Sequence, residues 1–343
     1  MLDDLVADSG APRRVTVLGA GSWGTTFAKV LADGGSDTVL WARRDEVARE
    51  ISTTHRNHRY LPGIDLDGVR ATSDLDEAVS RADQLYLAVP SQSLRANLRT
   101  IADHVPDDTI VVSLMKGVER GTRDRMSEVI AHELDIPSSR IAVLSGPNLA
   151  LEIAQEQPTA SVVASARLAT AREVARASTN RYFRAYVSTD VVGTELGGVL
   201  KNLIAIAVGI VDGVGYGENT KASIITRGLV EISDLAVALG ARPNTMMGLA
   251  GLGDLIATCE SPLSRNNTAG RLLGQGLDYH EVIDQMQQTA EGIGSVAPVL
   301  ELAAEHDVDM PIVAQVAAVL AGTLDPRDIA PDLAQSTDEP EVE

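Results

Sequence analysis

The sequence predicts an α/β fold in two parts: a doubly wound sheet in the N-terminal half and an all-helical domain in the C-terminal half. Three observations carry this reading. Short apolar runs alternate with amphipathic stretches as far as about residue 189, the first of those runs ends in a Gly-x-Gly-x-x-Gly turn, and beyond Asp190 helix-length segments follow one another with no strand series between them. At 343 residues the chain is long enough for two domains, and with 44% hydrophobic but only 3% aromatic residues its core is built from Ala, Val, Leu and Ile, as suits helices on a parallel sheet. The boundaries that follow are 1–189 for the sheet domain, 190–325 for the helical domain and 326–343 for an acidic tail.

The first strand, Val15-Thr-Val-Leu18, runs straight into Gly19-Ala-Gly21-Ser22-Trp23-Gly24 and then into the helix-like stretch 25–32. In a dinucleotide-binding turn the first glycine permits the sharp bend and the second lets backbone N–H groups approach a pyrophosphate. The third lets the helix pack closely on the strand, with its positive end toward the phosphates. The strand before and the helix after are the context that mechanism requires, so this half is expected to be Rossmann-like and to bind NAD or NADP. Further strands are predicted at 38–41, 84–89, 109–114, 141–144 and 160–164, with amphipathic helices over 93–104 and 122–134. Ligands of a doubly wound sheet sit at the carboxyl ends of its strands, which makes 19–24, 90–93, 116–121 and 145–148 the candidate functional loops.

In the second half, helices are predicted over 192–211, 220–239, 265–273, 279–288, 295–305 and 311–320. Ser264 is the expected N-cap of the third of these, which puts Arg265 and Asn266 in a first helical turn where side-chain and backbone donors converge, an arrangement suited to a phosphate. The last dozen residues, 332–343, hold five acids and no base and are expected to be a disordered solubilising tail. The glycine-rich segment 192–213 can pack within one chain or across a dimer, so a homodimer stays open.

A formal net charge of −19 argues against nucleic acid or an anionic membrane as partner, since either needs a basic face. An anionic small-molecule substrate would need local positive charge. The single cysteine, Cys259, excludes an internal disulfide and reads as a buried small hydrophobe. His55 and His58 have no second pair to complete a metal site, so none is expected. The acidic start, Met-Leu-Asp-Asp-Leu, does not read as a signal peptide, and the apolar stretch 203–211 is too short to span a bilayer, so no membrane insertion and a cytoplasmic location are expected.

Only four of the 29 basic residues are lysines: Lys29, Lys116, Lys201 and Lys221. Arginine does not accept a proton near neutral pH, whereas lysine can, so a retained lysine among so many arginines is a candidate for proton transfer. Lys201 lies among apolar neighbours in Gly197-Gly-Val-Leu-Lys-Asn-Leu-Ile-Ala-Ile206, and Lys116 follows directly on a predicted strand.

These segments together resemble the bacterial-type NAD(P)-dependent glycerol-3-phosphate dehydrogenases over nearly the whole chain to about residue 320. The markers are Gly19-Ala-Gly-Ser-Trp-Gly-Thr25, Leu40-Trp-Ala-Arg-Arg44, Val89-Pro-Ser91, Lys116-Gly117, Ser145-Gly-Pro147, Leu200-Lys-Asn202, Gly251-Leu-Gly-Asp254, Ser264-Arg-Asn-Asn267 and Ala290-Glu-Gly292. The resemblance implies reversible oxidation of sn-glycerol 3-phosphate to dihydroxyacetone phosphate, with supply of phospholipid precursor as the physiological role. It implies Lys201 as proton acceptor, and Ser22, Trp23, Arg43, Arg44, Lys116, Ala150, Arg265 and Glu291 as cofactor contacts beside Gly19, Gly21 and Gly24. Lys116, Gly146, Asn148, Lys201, Asp254, Ser264, Arg265 and Asn266 would line the substrate site. Asn148 departs from the family, many members of which carry Thr or Ser there. Two other readings stay open at this level: a β-hydroxyacid dehydrogenase acting on a carboxylate, and a non-catalytic NADPH-binding sensor.

Overall fold

The computed structural model describes residues 12–286 and 290–329. It divides into two compact units, Met1–Glu195 and Leu196–Glu343. The tail 332–343, the first five residues and the end of the helix expected over 279–288 lie outside the described residues.

The first unit is an eight-stranded sheet with helices between its strands. In chain order it runs β1 (Arg14–Leu18), α1 (Ser22–Asp33), β2 (Asp37–Trp41), α2 (Asp45–Thr54), β3 (Val69–Thr72), α3 (Leu75–Val79), β4 (Gln84–Leu87), α4 (Leu94–Ile101) and β5 (Ile110–Ser113). There follow α5 (Met126–Leu134), β6 (Ile141–Ser145), α6 (Ala150–Ala154), β7 (Thr159–Ala164), α7 (Leu168–Ser178) and β8 (Phe183–Ser188). The strand order is β3-β2-β1-β4-β5-β6-β7-β8, so the order of strand addition reverses at β1, the strand that carries the glycine turn, with β2 and β4 both parallel to it. Strands β1 and β4 to β6 are almost wholly buried, which is why they read as continuous apolar runs. Two apolar layers flank the sheet, one built around Phe27, Tyr86 and Phe183, the other around Leu85, Leu98 and Val129.

The expectation of a wholly parallel sheet needs one correction. Strand β7 runs antiparallel to β6, with Val143 opposite Ala164 and Leu144 opposite Val163. The connection between them, residues 146–158, carries the five-residue helix α6, and from the carboxyl end of β6 the chain returns alongside it as β7. Strand β8 then pairs parallel to β7 through the crossover helix α7.

The second unit is helical throughout its described residues. Helix α8 (Val191–Val214) leads into it, followed by α9 (Glu218–Ala238), α10 (Pro243–Met246), a π turn at Leu249–Gly253, α11 (Asp254–Glu260), α12 (Arg265–Gly274), α13 (Tyr279–Gln285), α14 (Glu291–Glu305) and α15 (Pro311–Leu320). Helix α8 is longer than the apolar stretch inside it: at 24 residues it is long and apolar enough to cross a membrane by length and composition, but 83% of its most apolar window is buried in the fold. It is a core helix, with residues Leu203 to Val208 all buried. Helices α8 and α12 touch backbone to backbone. A Cβ on Gly209 would stand 2.2 Å from the Asn267 carbonyl oxygen, and one on Gly270 would stand 2.1 Å from that of Ile206.

Candidate functional sites in the two units

The candidate residues fall in both units, and each set is built by its own elements. In the first unit, Gly19 has φ +116°, and a Cβ there would sit 2.5 Å from the Ala88 carbonyl oxygen on the neighbouring strand's extension. A Cβ on Gly24 would be 1.9 Å from the Gly19 carbonyl oxygen, so both positions accept only glycine. Gly21 is different. A Cβ there meets nothing within 4 Å, so its backbone faces open space, and Gly21 is also the N-cap of α1 and offers no capping side chain. The first turn of α1 carries no acidic residue. An uncapped helix start facing open space over a glycine is a fit for a pyrophosphate.

The neighbours of this turn are fixed by hydrogen bonds. Ser22 Oγ donates to the Tyr60 carbonyl at 2.9 Å, Trp23 Nε1 to the Leu114 carbonyl at 3.1 Å, and Thr26 Oγ1 to the Ala150 carbonyl at 3.2 Å. Ala150 opens α6. Beyond β2, Arg43 is exposed and Arg44 is half-buried, with Arg44 stacked 6.0 Å from the Tyr60 ring and 3.6 Å from Glu46. The acid beside them, Asp45, is engaged by Arg49 and by the Ser73 hydroxyl at 3.0 Å, and its pairing with Arg49 holds the carboxyl below its ordinary range.

At the ends of β5 and β6, Lys116 Nζ donates to the Gly146 carbonyl at 3.1 Å. Gly146 has φ +147°, and Asn148 Oδ1 accepts from Ser161 Oγ. The Asn148 Nδ2 is buried and unpartnered. The structure thus brings together Lys116, Gly146 and Asn148, three residues of the expected substrate set, and leaves one amide donor of that group unsatisfied.

In the second unit, Lys201 on α8 is buried, and its ammonium donates to Asp254 Oδ1 at 2.5 Å and to Thr258 Oγ1. Side-chain exposures of 7% for Lys201 and 2% for Asp254 place this ion pair where water screens it little. Asp254 opens α11 and Thr258 lies one helical turn on, so both reach the lysine from one face. Thr258 was not among the sequence candidates. Its signal was the spacing of four from Asp254 within Gly251-Leu-Gly-Asp-Leu-Ile-Ala-Thr258, a segment outside the helices expected from the sequence. Cys259 is buried as expected, and burial pushes its thiol up to about 12.

Ser264 is the N-cap of α12, its Oγ accepting from the Asn267 N–H at 3.2 Å, and its own O–H remains a donor. Arg265 is exposed and Asn266 half-buried at the same helix start, while Asn267 Nδ2 donates to the Cys259 carbonyl at 3.0 Å and ties α12 to α11. Gly292 N–H donates to Asn266 Oδ1 at 3.0 Å. Glu291 opens α14, and its side chain lies outside the described residues.

Comparison with known proteins meets this geometry from outside. Residues 14–171 match the family described as NAD-dependent glycerol-3-phosphate dehydrogenase N-terminus, and residues 190–331 match the corresponding C-terminus. The chain is 66% identical over 328 residues to a glycerol-3-phosphate dehydrogenase [NAD(P)+] of Leifsonia xyli, covering 95% of this chain and 89% of that one. It is 56% identical over 310 residues to the enzyme of the same name from Streptomyces griseus, covering 90% and 92%. Among solved structures, glycerol-3-phosphate dehydrogenase from Coxiella burnetii superposes with a TM-score of 0.88 at 35% identity, covering 94% of this chain and 99% of that one.

Proposed function

The chain belongs to the NAD-dependent glycerol-3-phosphate dehydrogenase family, and from that premise we propose which of its residues do the work. The reaction is the NAD(P)-dependent interconversion of sn-glycerol 3-phosphate and dihydroxyacetone phosphate. The nicotinamide coenzyme supplies the hydride acceptor for oxidation and the hydride donor for reduction.

Lys201 carries the proton. In the oxidation direction its neutral amine takes the proton from the C2 hydroxyl; in reduction its ammonium returns one to the C2 oxygen. The observation that supports this assignment is the buried Lys201–Asp254–Thr258 cluster, in which the Asp254 carboxylate at 2.5 Å and the Thr258 hydroxyl fix the direction of the lysine nitrogen. Asp254 and Thr258 are positioning residues in this reading. The Ser264 hydroxyl, the Arg265 guanidinium and the Asn266 amide bind the substrate phosphate at the start of α12, and Lys116, Gly146 and Asn148 complete the substrate contacts. The turn through Gly19, Gly21 and Gly24 holds the coenzyme pyrophosphate, with Ser22, Trp23, Lys116, Ala150, Arg265 and Glu291 as further coenzyme contacts. Arg43 and Arg44 receive a 2′-phosphate, so NADP is accepted.

The reading extends to physiology: supply of glycerol 3-phosphate for phospholipid synthesis in the cytoplasm. The deciding experiment is coenzyme oxidation by the purified protein with dihydroxyacetone phosphate, beside the same assay with Lys201→Met. Rapid turnover by the wild type and its collapse in the variant are expected. A folded variant that turns over normally would remove Lys201 from the chemistry.

A further inference from the structure

Helix α14 starts without a capping side chain of its own. Its N-cap is Ala290, so the N–H groups of its first turn need acceptors from elsewhere. Gly292 N–H finds one on another helix, the Oδ1 of Asn266 at 3.0 Å. A backbone N–H can only donate, so the amide atom that faces it is the oxygen; this fixes the flip of Asn266 and turns Nδ2 the other way as a donor. Asp at 266 could cap the helix equally well, but it would lose that donor and bring a negative charge to the phosphate. Gly292 is constrained in its turn. A Cβ there would stand 2.7 Å from Asn266 Oδ1, 3.1 Å from the Asn202 Cβ and 3.1 Å from the Ile206 Cδ1. Asn202 directly follows Lys201, so this one glycine packs against the neighbour of the proton carrier as well as against a phosphate donor.

We propose that Gly292 is a positioning residue whose hydrogen bond to Asn266 couples the phosphate-binding start of α12 to the start of α14, so that phosphate substrate and nicotinamide coenzyme bind synergistically. The proposal rests on the reading above, in which Asn266 meets the phosphate and the segment 290–292 meets the coenzyme. Donation from Nδ2 to an anion shifts amide charge toward Oδ1 and strengthens the cap on Gly292. Ordering Asn266 for one ligand also removes that ordering cost for the other.

The test is NADH affinity, read by nucleotide fluorescence, with and without saturating glycerol 3-phosphate, a pair of reduced ligands that cannot react. In the wild type the substrate tightens NADH at least fivefold, the lower end of ordinary coupling between sites. Gly292→Ala brings that ratio below twofold and raises the KM for glycerol 3-phosphate more than it lowers kcat. Asn266→Asp keeps the cap and loses the donor, so it binds glycerol 3-phosphate poorly at every coenzyme level; wild-type binding by this variant would overturn the phosphate assignment itself. A weak Asn266→Asp beside a Gly292→Ala that keeps the fivefold ratio would overturn the coupling alone. Should Gly292→Ala fail to fold, hydrogen exchange in the wild type decides: glycerol 3-phosphate alone slows the amides of residues 291–294 several-fold, and unchanged rates refute the proposal.

Discussion

Replacing Lys201 by Met tests chemistry and architecture at once. The lysine and Asp254 form an ion pair that is nearly closed to solvent, and the Thr258 hydroxyl is hydrogen-bonded to both. Lys201→Met therefore removes the positive charge that faces a buried carboxylate at 2.5 Å, and breaking a buried pair by removing one partner typically costs about 3 to 5 kcal/mol. At about 2 to 4 °C per kcal/mol for a protein of this class, the melting temperature should fall by roughly 6 to 20 °C. Turnover should fall by at least about 10²-fold, the lower range for a lost general acid–base group. The two effects are separable, because Lys201→Met/Asp254→Asn carries no buried charge: it should regain most of the lost melting temperature in calorimetry while staying as inactive as the single variant. Recovery of stability without recovery of turnover is the expected signature. A single variant that melts like the wild type would show that the pair contributes nothing, and one that is folded and turns over within threefold of the wild type would refute the role of Lys201.

Three further outcomes follow from other parts of the chain. Arg43→Ala/Arg44→Ala should raise the KM for NADPH more than that for NADH, measured with dihydroxyacetone phosphate; equal effects would mean that these arginines do not read the 2′-phosphate. Arg265→Ala should lower kcat/KM for glycerol 3-phosphate by at least about 10-fold, since one charge-assisted hydrogen bond is worth about 1.5 to 3 kcal/mol, with coenzyme affinity measured separately. Glu231 on α9 is buried and accepts from the N–H groups of Ile312 and Val313 at 2.9 and 3.0 Å, and burial pushes its carboxyl up to about 7. A raised carboxyl favours the folded state fully below the unfolded value and loses that contribution as pH rises through 7; Glu231→Gln, whose single amide oxygen satisfies only one of the two N–H groups, should melt below the wild type at pH 5, and the gap should narrow or reverse by pH 8, while a melting difference independent of pH would contradict this.

Much of the sheet was legible because its strands are buried on both faces. Val15 to Leu18 and Gln84 to Leu87 have no alternation to decode, and turn residues bound them. Strands β3 and β8 were missed for the opposite reason: they lie at the two edges of the sheet, and Val69–Thr72 and Phe183–Ser188 each bury one residue. Helices α2 and α7 are amphipathic but flanked by those unrecognised strands, so no alternation framed them. The direction of β7 was not legible at all, because the composition of a buried strand is the same whether it runs parallel or antiparallel to its neighbour.

The site divides along a similar line. The glycine turn was legible because steric exclusion acts within a few residues: Gly24 must clear the carbonyl of Gly19, and both lie in one motif. The Ser264 cap was legible for the same reason, its partner Asn267 being three residues away. The proton-transfer cluster is different, since Lys201 meets Asp254 and Thr258 across 53 and 57 positions of chain. No local pattern states that pairing; the rarity of lysine and the family motifs pointed to Lys201 and Asp254, while Thr258 emerged only when α11 proved to be a helix. Asn266 carries the point furthest. Its residue type suggests a donor to phosphate, but its orientation is set by the N–H of Gly292, 26 positions away, so a side chain that looks like a simple ligand in the sequence is also the cap of a second helix. Asp at this position would keep that cap but lose the Nδ2 donor and add a negative charge, so Asn266→Asp, nearly identical in size, should be more damaging to substrate binding than its shape would suggest.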